Sequence, residues 1–394
     1  MSLDFLEKTE EFKNLIQDVR LGKKGLKAAG LIEAARPYFL ACLGRALKKR
    51  IVYIQPAAHS LSRLEARCRF YFSQFSMPLD LGTLPPLSEN PYEEIFPSLE
   101  AVSSRMKFFS RLVRPSTFLV LTNLYGLLKP FPGPEDLSNA FLELEAGRSC
   151  GRDRVLQVLS RYGYVKEDLI ASPGEYAWRG GIVDVFSPWG EFPYRIEFSG
   201  DEVVSLREFD PSTQRSLKRL PQIVLPSLRE FPDSARFLEE WQRLAQEKSS
   251  SVEDDLKKKI DSLKNGDIFP SFSFLALLHK GHFVPFSHYL EDALFIVADP
   301  GEVEQEWEEA KKDLENQCRE LRKAGTFCLD PEEVYPSSDW DRVLEEALVF
   351  GDLLPRETKK TFVFPFQPVP KFNNKIPFFL QYMRRLQRVR ERCW

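Results

Sequence analysis

No stretch of this 394-residue sequence approaches the run of about eighteen apolar residues that a membrane-spanning helix needs. The N-terminal "MSLDFLEKTEEFKNL" is acidic and amphipathic and lacks the basic and apolar regions of a signal peptide. Histidine is scarce: His59, His279, His282 and His288 are the whole supply. His279 and His282 (H-x-x-H) lack the i, i+4 spacing and the nearby glutamate of a zincin, so they read as a surface or loop pair. The cysteines (Cys42, Cys68, Cys150, Cys318, Cys328, Cys393) never form C-x-x-C, which argues for reduced thiols in a cytoplasm and against a structural zinc site. Net charge is −3 and the pI is near 6.0. There is thus no global basic field to hold a phosphate backbone, although a local basic patch is compatible with these totals. G-x-S-x-G, G-x-G-x-x-G and a Ser/His/Asp spacing are all missing. The acidic pairs Glu93–Glu94 and Glu308–Glu309 are adjacent on predicted helices and splay apart.

What is present is length enough for two or three domains and ordinary globular composition. Residues 1–50 read as helical, through "AARPYFLACLGRALKK". "RIVYIQP" is a short apolar run stopped by Pro56, which fits a buried strand. A helix is predicted from about Ser60 to Phe75, then the proline-rich "LGTLPPLSENPYEEIFP", a helix over Ser98–Leu112 and a buried strand in "STFLVLTNLYGLL". Strands alternating with helices suggest a parallel α/β sheet, incomplete before Phe131. After "KPFPGPED" the texture changes to a strand, the helix "RDRVLQVLSRYGY" and several strands, an α+β module ending near "QIVLPS". Helical segments (Asp233–Ser249, Ser251–Asn265), the strand "DALFIVADP" and a charged, solvent-exposed helix (Glu302–Lys323) follow. The simplest topology is an insertion. One α/β domain spans 1–140 and 228–350, interrupted by an α+β module over 141–227. A linker over 351–370 then leads to a basic helix in 371–394 that reads as the start of a truncated third domain.

An α/β domain invites a search for G-x-x-x-x-G-K-[ST], in which backbone N–H groups cradle phosphates, lysine reaches the β/γ oxygens and the hydroxyl holds Mg²⁺. "GLKAAGLI" places Gly25 and Gly30 at that spacing, followed by Leu31 and Ile32 where the ammonium and hydroxyl should stand. Two glycines five apart are a weak signal alone, and a helix-entry turn is the better explanation of them. "LFIVADPG" has the hydrophobic-strand look of a Walker B segment, but Asp299 is followed by Pro300 and Gly301 without a second acid. Either the domain never bound nucleotide or it descends from one that did; both readings leave it catalytically silent.

In the module, "GEYAWRGGIVDVFSP" (Gly174–Pro188) and "YRIEFSGDEV" (Tyr194–Val203) each carry an arginine within a strand pattern. Period-2 alternation puts Tyr176 and Trp178 on one face and Glu175, Ala177 and Arg179 on the other. Likewise Tyr194, Ile196 and Phe198 oppose Arg195 and Glu197. With the aromatic face buried, Arg179 and Arg195 point outward on one sheet face if their strands are neighbours. Gly180–Gly181 permits a bulge or change of phase there. Exposed arginines are usually solvated and contribute little. A stiff sheet presenting two of them, however, suits a protein-binding site in which guanidinium clasps carboxylate.

The ordered series G-E-Y-A-W-R-G-G-I-V-D-V-F, then P-Y-R-I-E-F-S-G-D-E, then F-D-P-S-T-Q-R resembles the N-terminal region of bacterial transcription-repair coupling factors. "NLYGLLKPFPGPEDL", the "GTLPPLSENPYEEIFPSLEAVSSRMKFFSRL" segment and "HYLEDALFIVADPGEV" extend the likeness over about residues 20–350. Related segments occur in the excision-repair protein UvrB. The resemblance implies an α/β domain of degenerate P-loop type, like UvrB's first domain, with an inserted α+β module like its second. It implies loss of the ATPase motifs, at Leu31 and Ile32 and near Ala298–Asp299, with no aromatic DNA-clamping hairpin in Leu81–Pro91. It also implies UvrA as partner of the module, docking through residues that match Arg179 and Arg195. Where the family carries an aromatic just after Phe198, this chain has Ser199. By the same resemblance, ATP and Mg²⁺, RNA polymerase and double-stranded DNA belong to helicase-like motor parts beyond this fragment, in a cytoplasmic protein whose C-terminal domain covers the docking face at rest. The alternative is a fragment of a UvrB-type ATP-dependent DNA-damage helicase, an enzyme of the hydrolase class.

Overall fold

The computed structural model describes residues 4–76, 80–87, 90–93, 95–113, 119–231, 238–246, 250–265, 269–270, 272–278, 281–351, 360–368, 370 and 376–389. The first half supplies strands β1 (Leu26–Ala29), β2 (Ile51–Gln55), β3 (Leu81–Thr83) and β4 (Leu119–Asn123). Among them run helices α1 (Glu10–Arg20), α2 (Arg36–Leu47), α3 (Leu61–Gln74) and α4 (Leu99–Leu112), and after β4 come α5 (Leu124–Leu127), β5 (Phe131–Pro132) and α6 (Pro134–Ser138). Side-chain caps start several of these helices: Thr9 accepts from Phe12 N, Ser60 from Arg63 N, Ser98 from Ala101 N and Asn123 from Gly126 N.

The inserted module holds β6 (Phe141–Glu145), α7 (Arg152–Arg161), β7 (Val165–Lys166), β8 (Glu175–Arg179), β9 (Ile182–Val185), β10 (Tyr194–Ser199), β11 (Glu202–Phe209), β12 (Ser216–Leu220) and β13 (Gln222–Pro226). The chain then returns through α8 (Leu238–Gln246), α9 (Ser250–Lys264), α10 (Phe272–Leu275), β14 (Phe283–Val284), β15 (Leu294–Ala298) and α11 (Pro300–Lys323). It closes with α12 (Pro331–Val334), α13 (Ser337–Glu346), β16 (Leu348–Phe350), β17 (Lys360–Val363) and α14 (Ile376–Val389).

The large sheet has the order β17-β1-β16-β15-β2-β4-β3 and every pairing in it is parallel. Strands from both sides of the insertion therefore interleave, which is why the first half alone reads as incomplete. Strand alternation sorts the core into two faces. Ile51, Tyr53, Leu119 and Leu121 meet α2 and α3 on one side, while Val52, Ile54 and Val120 meet α4, α9 and α11 on the other. Full burial of each such aliphatic chain contributes about 1.5–3 kcal/mol.

The local readings need several corrections. Residues 1–50 are not helical throughout, because β1 lies between α1 and α2. The proline-rich segment contains β3, and the expected linker 351–370 contains β17, paired with β1 from Leu26↔Lys360 to Ala29↔Val363. The helix expected to lie in solvent, α11, buries Val303, Trp307, Leu314 and Cys318 along one face. Among the described residues no helix is long and apolar enough to cross a membrane.

The module closes on itself, since β13 pairs antiparallel with β6 from Gln222↔Glu145 to Pro226↔Phe141, bringing its two ends together. Its larger sheet has the order β12-β11-β10-β9-β8-β7. One face of that sheet packs Tyr176, Val183, Ile196 and Leu206 against Val155 and Leu159 of α7. A buried ion triad fixes the point where the chain leaves the module and re-enters the α/β domain: Glu230, just past β13, accepts from Arg105 Nε of α4 at 2.6 Å and from Lys129 Nζ at 2.8 Å. Trp189 Nε1 also donates to Ser103 O at 3.1 Å.

Candidate functional site

Arg179 and Arg195 do share a sheet face, but β9 lies between their strands. The register aligns Ala177, Asp184, Arg195, Arg207 and Arg219 in one cross-strand row, and Arg179, Ile182 and Glu197 in the next. Period-2 alternation thus puts all of these on the face away from α7. Gly180–Gly181 forms a two-residue hairpin between β8 and β9, with Gly180 at φ +57°, rather than a bulge. A Cβ on Gly181 would lie 2.8 Å from Phe198 O, so the β10 backbone excludes any side chain there. The irregularity sits instead at Glu197/Phe198 of β10.

The two arginines differ in kind. Arg179 is exposed, and its Nη2 donates to Asp168 O at 3.1 Å; no acid among the described residues pairs with it. Arg195 is not a free surface charge. Its Nε and Nη2 meet both carboxylate oxygens of Asp184 at 2.7 and 2.8 Å, and Nη2 also reaches Gln214 Oε1 at 2.8 Å. Its guanidinium lies 4.2 Å from the centroid of the buried Phe209 ring. The hydrogen bond that Arg195 donates to Asp184 leads the causes that raise the Arg195 pKa, against the opposing effect of burial. Arg195 is therefore a pre-oriented cation with its Nη1 edge still without a hydrogen bond among the described residues.

Next in the row, Arg207 pairs with Glu197 and bonds Ser205 Oγ. Burial pushes the Glu197 pKa up, but Arg207, Ser205 and the Arg195 charge outweigh it and hold it below the ordinary value. Ser199 sits exposed at the end of β10, opposite Glu202 across the tight turn at Gly200, φ +59°. Phe198 packs partly buried on the module core, as its alternation implies. Trp178 breaks the expected pattern. It lies in the core-facing row but is 41% exposed, with Arg152 5.3 Å and Lys166 5.4 Å from its ring centroid. Period 2 assigns a face but not how completely that face is covered: over Trp178 stand the cations of Arg152, at the start of α7, and Lys166 rather than an apolar layer.

Residues missed in the sequence are Asp184, Arg207 and Trp178. A signal for Asp184 was available: "VDV" and "YRI" are consecutive strands that pair antiparallel across the connection 186–193, acid against base.

The Gly25/Gly30 spacing does not frame a loop. The four residues between them are β1 itself, and the loop entering α2 runs from Gly30 to Ala35. Counted from Gly30, the position of a phosphate-loop lysine falls on Arg36 and that of the hydroxyl on Pro37, not on Leu31 and Ile32. Leu31 is buried, and Ile32 is in extended backbone ahead of a short 3-10 turn. Arg36, 7% exposed in its side chain, holds Asp299 with two bonds of 2.6 and 2.7 Å. Burial works against the Arg36 charge, yet Asp299 and Tyr53 hold its pKa above the ordinary value. Phe364–Phe366 crosses the same loop: Phe364 N donates to Ala29 O at 2.8 Å and Phe366 N to Gly30 O at 3.2 Å. A Cβ on Gly30 would meet Phe364 O at 2.5 Å. The loop is thus filled by the chain's own cation and backbone.

Of the histidine pair, His279 lies outside the described residues, and His282 Nδ1 is 2.8 Å from Asp136 Oδ2. No group of three or more His, Cys, Asp or Glu that could hold a metal occurs among the described residues.

Residues 142–231 match the family described as the UvrB interaction domain. The chain is also similar to the transcription-repair-coupling factor of Myxococcus xanthus, 29% identical over 298 residues that cover 73% of this chain and 24% of that protein. The factor of Bacillus subtilis is 27% identical over 228 residues, 58% of this chain and 19% of that one. That of Escherichia coli is 30% identical over 190 residues, 48% and 16% respectively. The chain spans about a quarter or less of the length of these curated relatives. The resemblance read from the motifs is borne out.

Proposed function

We propose that this chain acts in transcription-coupled repair as a docking module, presenting the outer face of its inserted sheet to UvrA. The observation that carries the reading is Arg179 and Arg195 on one face of the segment that matches the UvrB interaction domain, one exposed and one pre-oriented. Arg195, already fixed, loses little freedom on binding and offers its Nη1 edge to an acid, while Arg179 is free to clasp a carboxylate with two bonds, the chemistry of interface hot spots. UvrA would supply the acids. RNA polymerase, double-stranded DNA, ATP and Mg²⁺ would be the concern of other parts of a longer protein, and a further domain of it would cover this face at rest. Pull-down of purified UvrA by this chain tests the reading: Arg179→Glu should abolish capture, and full capture by that variant would refute it.

The UvrB-type ATP-dependent helicase reading is the less favoured. The Arg36–Asp299 pair stands against it, because the acid at the end of β15 is neutralised internally and no lysine–hydroxyl pair follows the Gly30 loop.

A further inference from the structure

Arg195, Arg207 and Arg219 stand directly opposite one another on three adjacent strands. Like charges so placed destabilise a sheet, and the first two are compensated by Asp184 and Glu197. Arg219 is not: it is exposed on the edge strand β12, and its side chain has no hydrogen bond or ion pair with any described residue. Protection of the edge against other strands is one use of such a charge, but Lys218 beside it already serves that purpose, with Glu208 opposite. An uncompensated cation ending a like-charge row is more simply read as waiting for an external acid.

We infer that Arg219 is part of the docking face, and that the face extends from Arg179 across the sheet to β12 to receive an acidic strip of a protein partner. The inference rests on the docking reading above. Strands about 4.8 Å apart space the guanidinia of the row for separate carboxylates. Asp184 and Glu197, interleaved with the arginines, would repel a continuous polyphosphate, so the face fits discrete acids rather than a nucleic-acid backbone.

The test measures affinity for purified UvrA, binding of a labelled DNA duplex, and thermal stability, on wild type, Arg179→Glu, Arg219→Gln and Arg219→Glu. Arg219→Gln should weaken UvrA binding about tenfold and Arg219→Glu more. Both should leave the melting temperature unchanged or raise it, because a repulsion is removed. The weakening should shrink at high salt. If Arg179→Glu loses UvrA while both Arg219 variants bind like wild type, the extended face is wrong and the docking reading stands. If Arg179→Glu also binds normally, the docking reading itself has failed. Duplex binding lost in Arg219→Glu with UvrA binding intact would make the row a nucleic-acid contact and overturn the inference.

Discussion

Arg195 and Asp184 form a two-bond ion pair across β10 and β9, with side chains only 19% and 15% exposed. A pair this sheltered is structural, whatever else Arg195 binds. Arg195→Ala should therefore cost about 2 kcal/mol in urea unfolding, because Asp184 is left half-buried without its partner. Arg195→Glu should cost more, since it faces Asp184 with a like charge. Loss of partner binding by an Arg195 variant is meaningful only beside that stability measurement. An unfolding free energy equal to wild type in Arg195→Ala would contradict the pairing.

Arg179 should behave in the opposite way. It is exposed and bonds only a backbone oxygen, so Arg179→Glu should change the unfolding free energy by no more than about 0.5 kcal/mol. Matched urea curves check this, and coincident midpoints make Arg179→Glu the clean reporter of docking.

The inserted sheet was legible because its strands alternate, its turns carry glycine, and both strand faces have a chemical signature. Even there, the sequence pattern alone made Arg195 look free, since its acid lies on another strand. The α/β domain was legible where strands are wholly apolar, as in "IVYIQ" and "LFIVA". It was opaque where they are short and of low β-propensity: "LKAA" of β1 contains the buried Lys27, and "KTFV" of β17 stands in what reads as a linker. Both owe their strand conformation to parallel neighbours far along the chain. Missing β1 is also what displaced the loop count from Arg36 to Leu31.

Arg36 and Asp299 supply a third prediction. Either Arg36→Ala or Asp299→Ala should destabilise the chain, by about 3 kcal/mol for removal of the more buried arginine. Neither should create nucleotide affinity, because Pro37 offers no hydroxyl and Phe364–Phe366 still crosses the loop. Calorimetric titration with Mg-ATP is expected to show no saturable heat for wild type or variants. A dissociation constant below the millimolar range would return the helicase reading to first place.

The Glu230 triad makes stability depend on pH in a stated window. Burial alone would raise the Glu230 pKa, but Lys129 and Arg105 outweigh it and hold the carboxyl at about 2, against an ordinary 4.5. A depressed carboxylate pKa means that the unfolded chain takes up the proton first. The triad's contribution is therefore complete above about pH 4.5 and declines as pH falls from there toward 2. At neutral pH, Glu230→Gln should cost about 3 kcal/mol or more, because it leaves Lys129 and Arg105 buried without a counter-charge. The difference between wild type and Glu230→Gln, followed by urea unfolding at stepwise lower pH, should hold down to about 4.5 and then narrow. A difference that stayed constant through that window would show that the carboxylate charge is not what stabilises the buried triad.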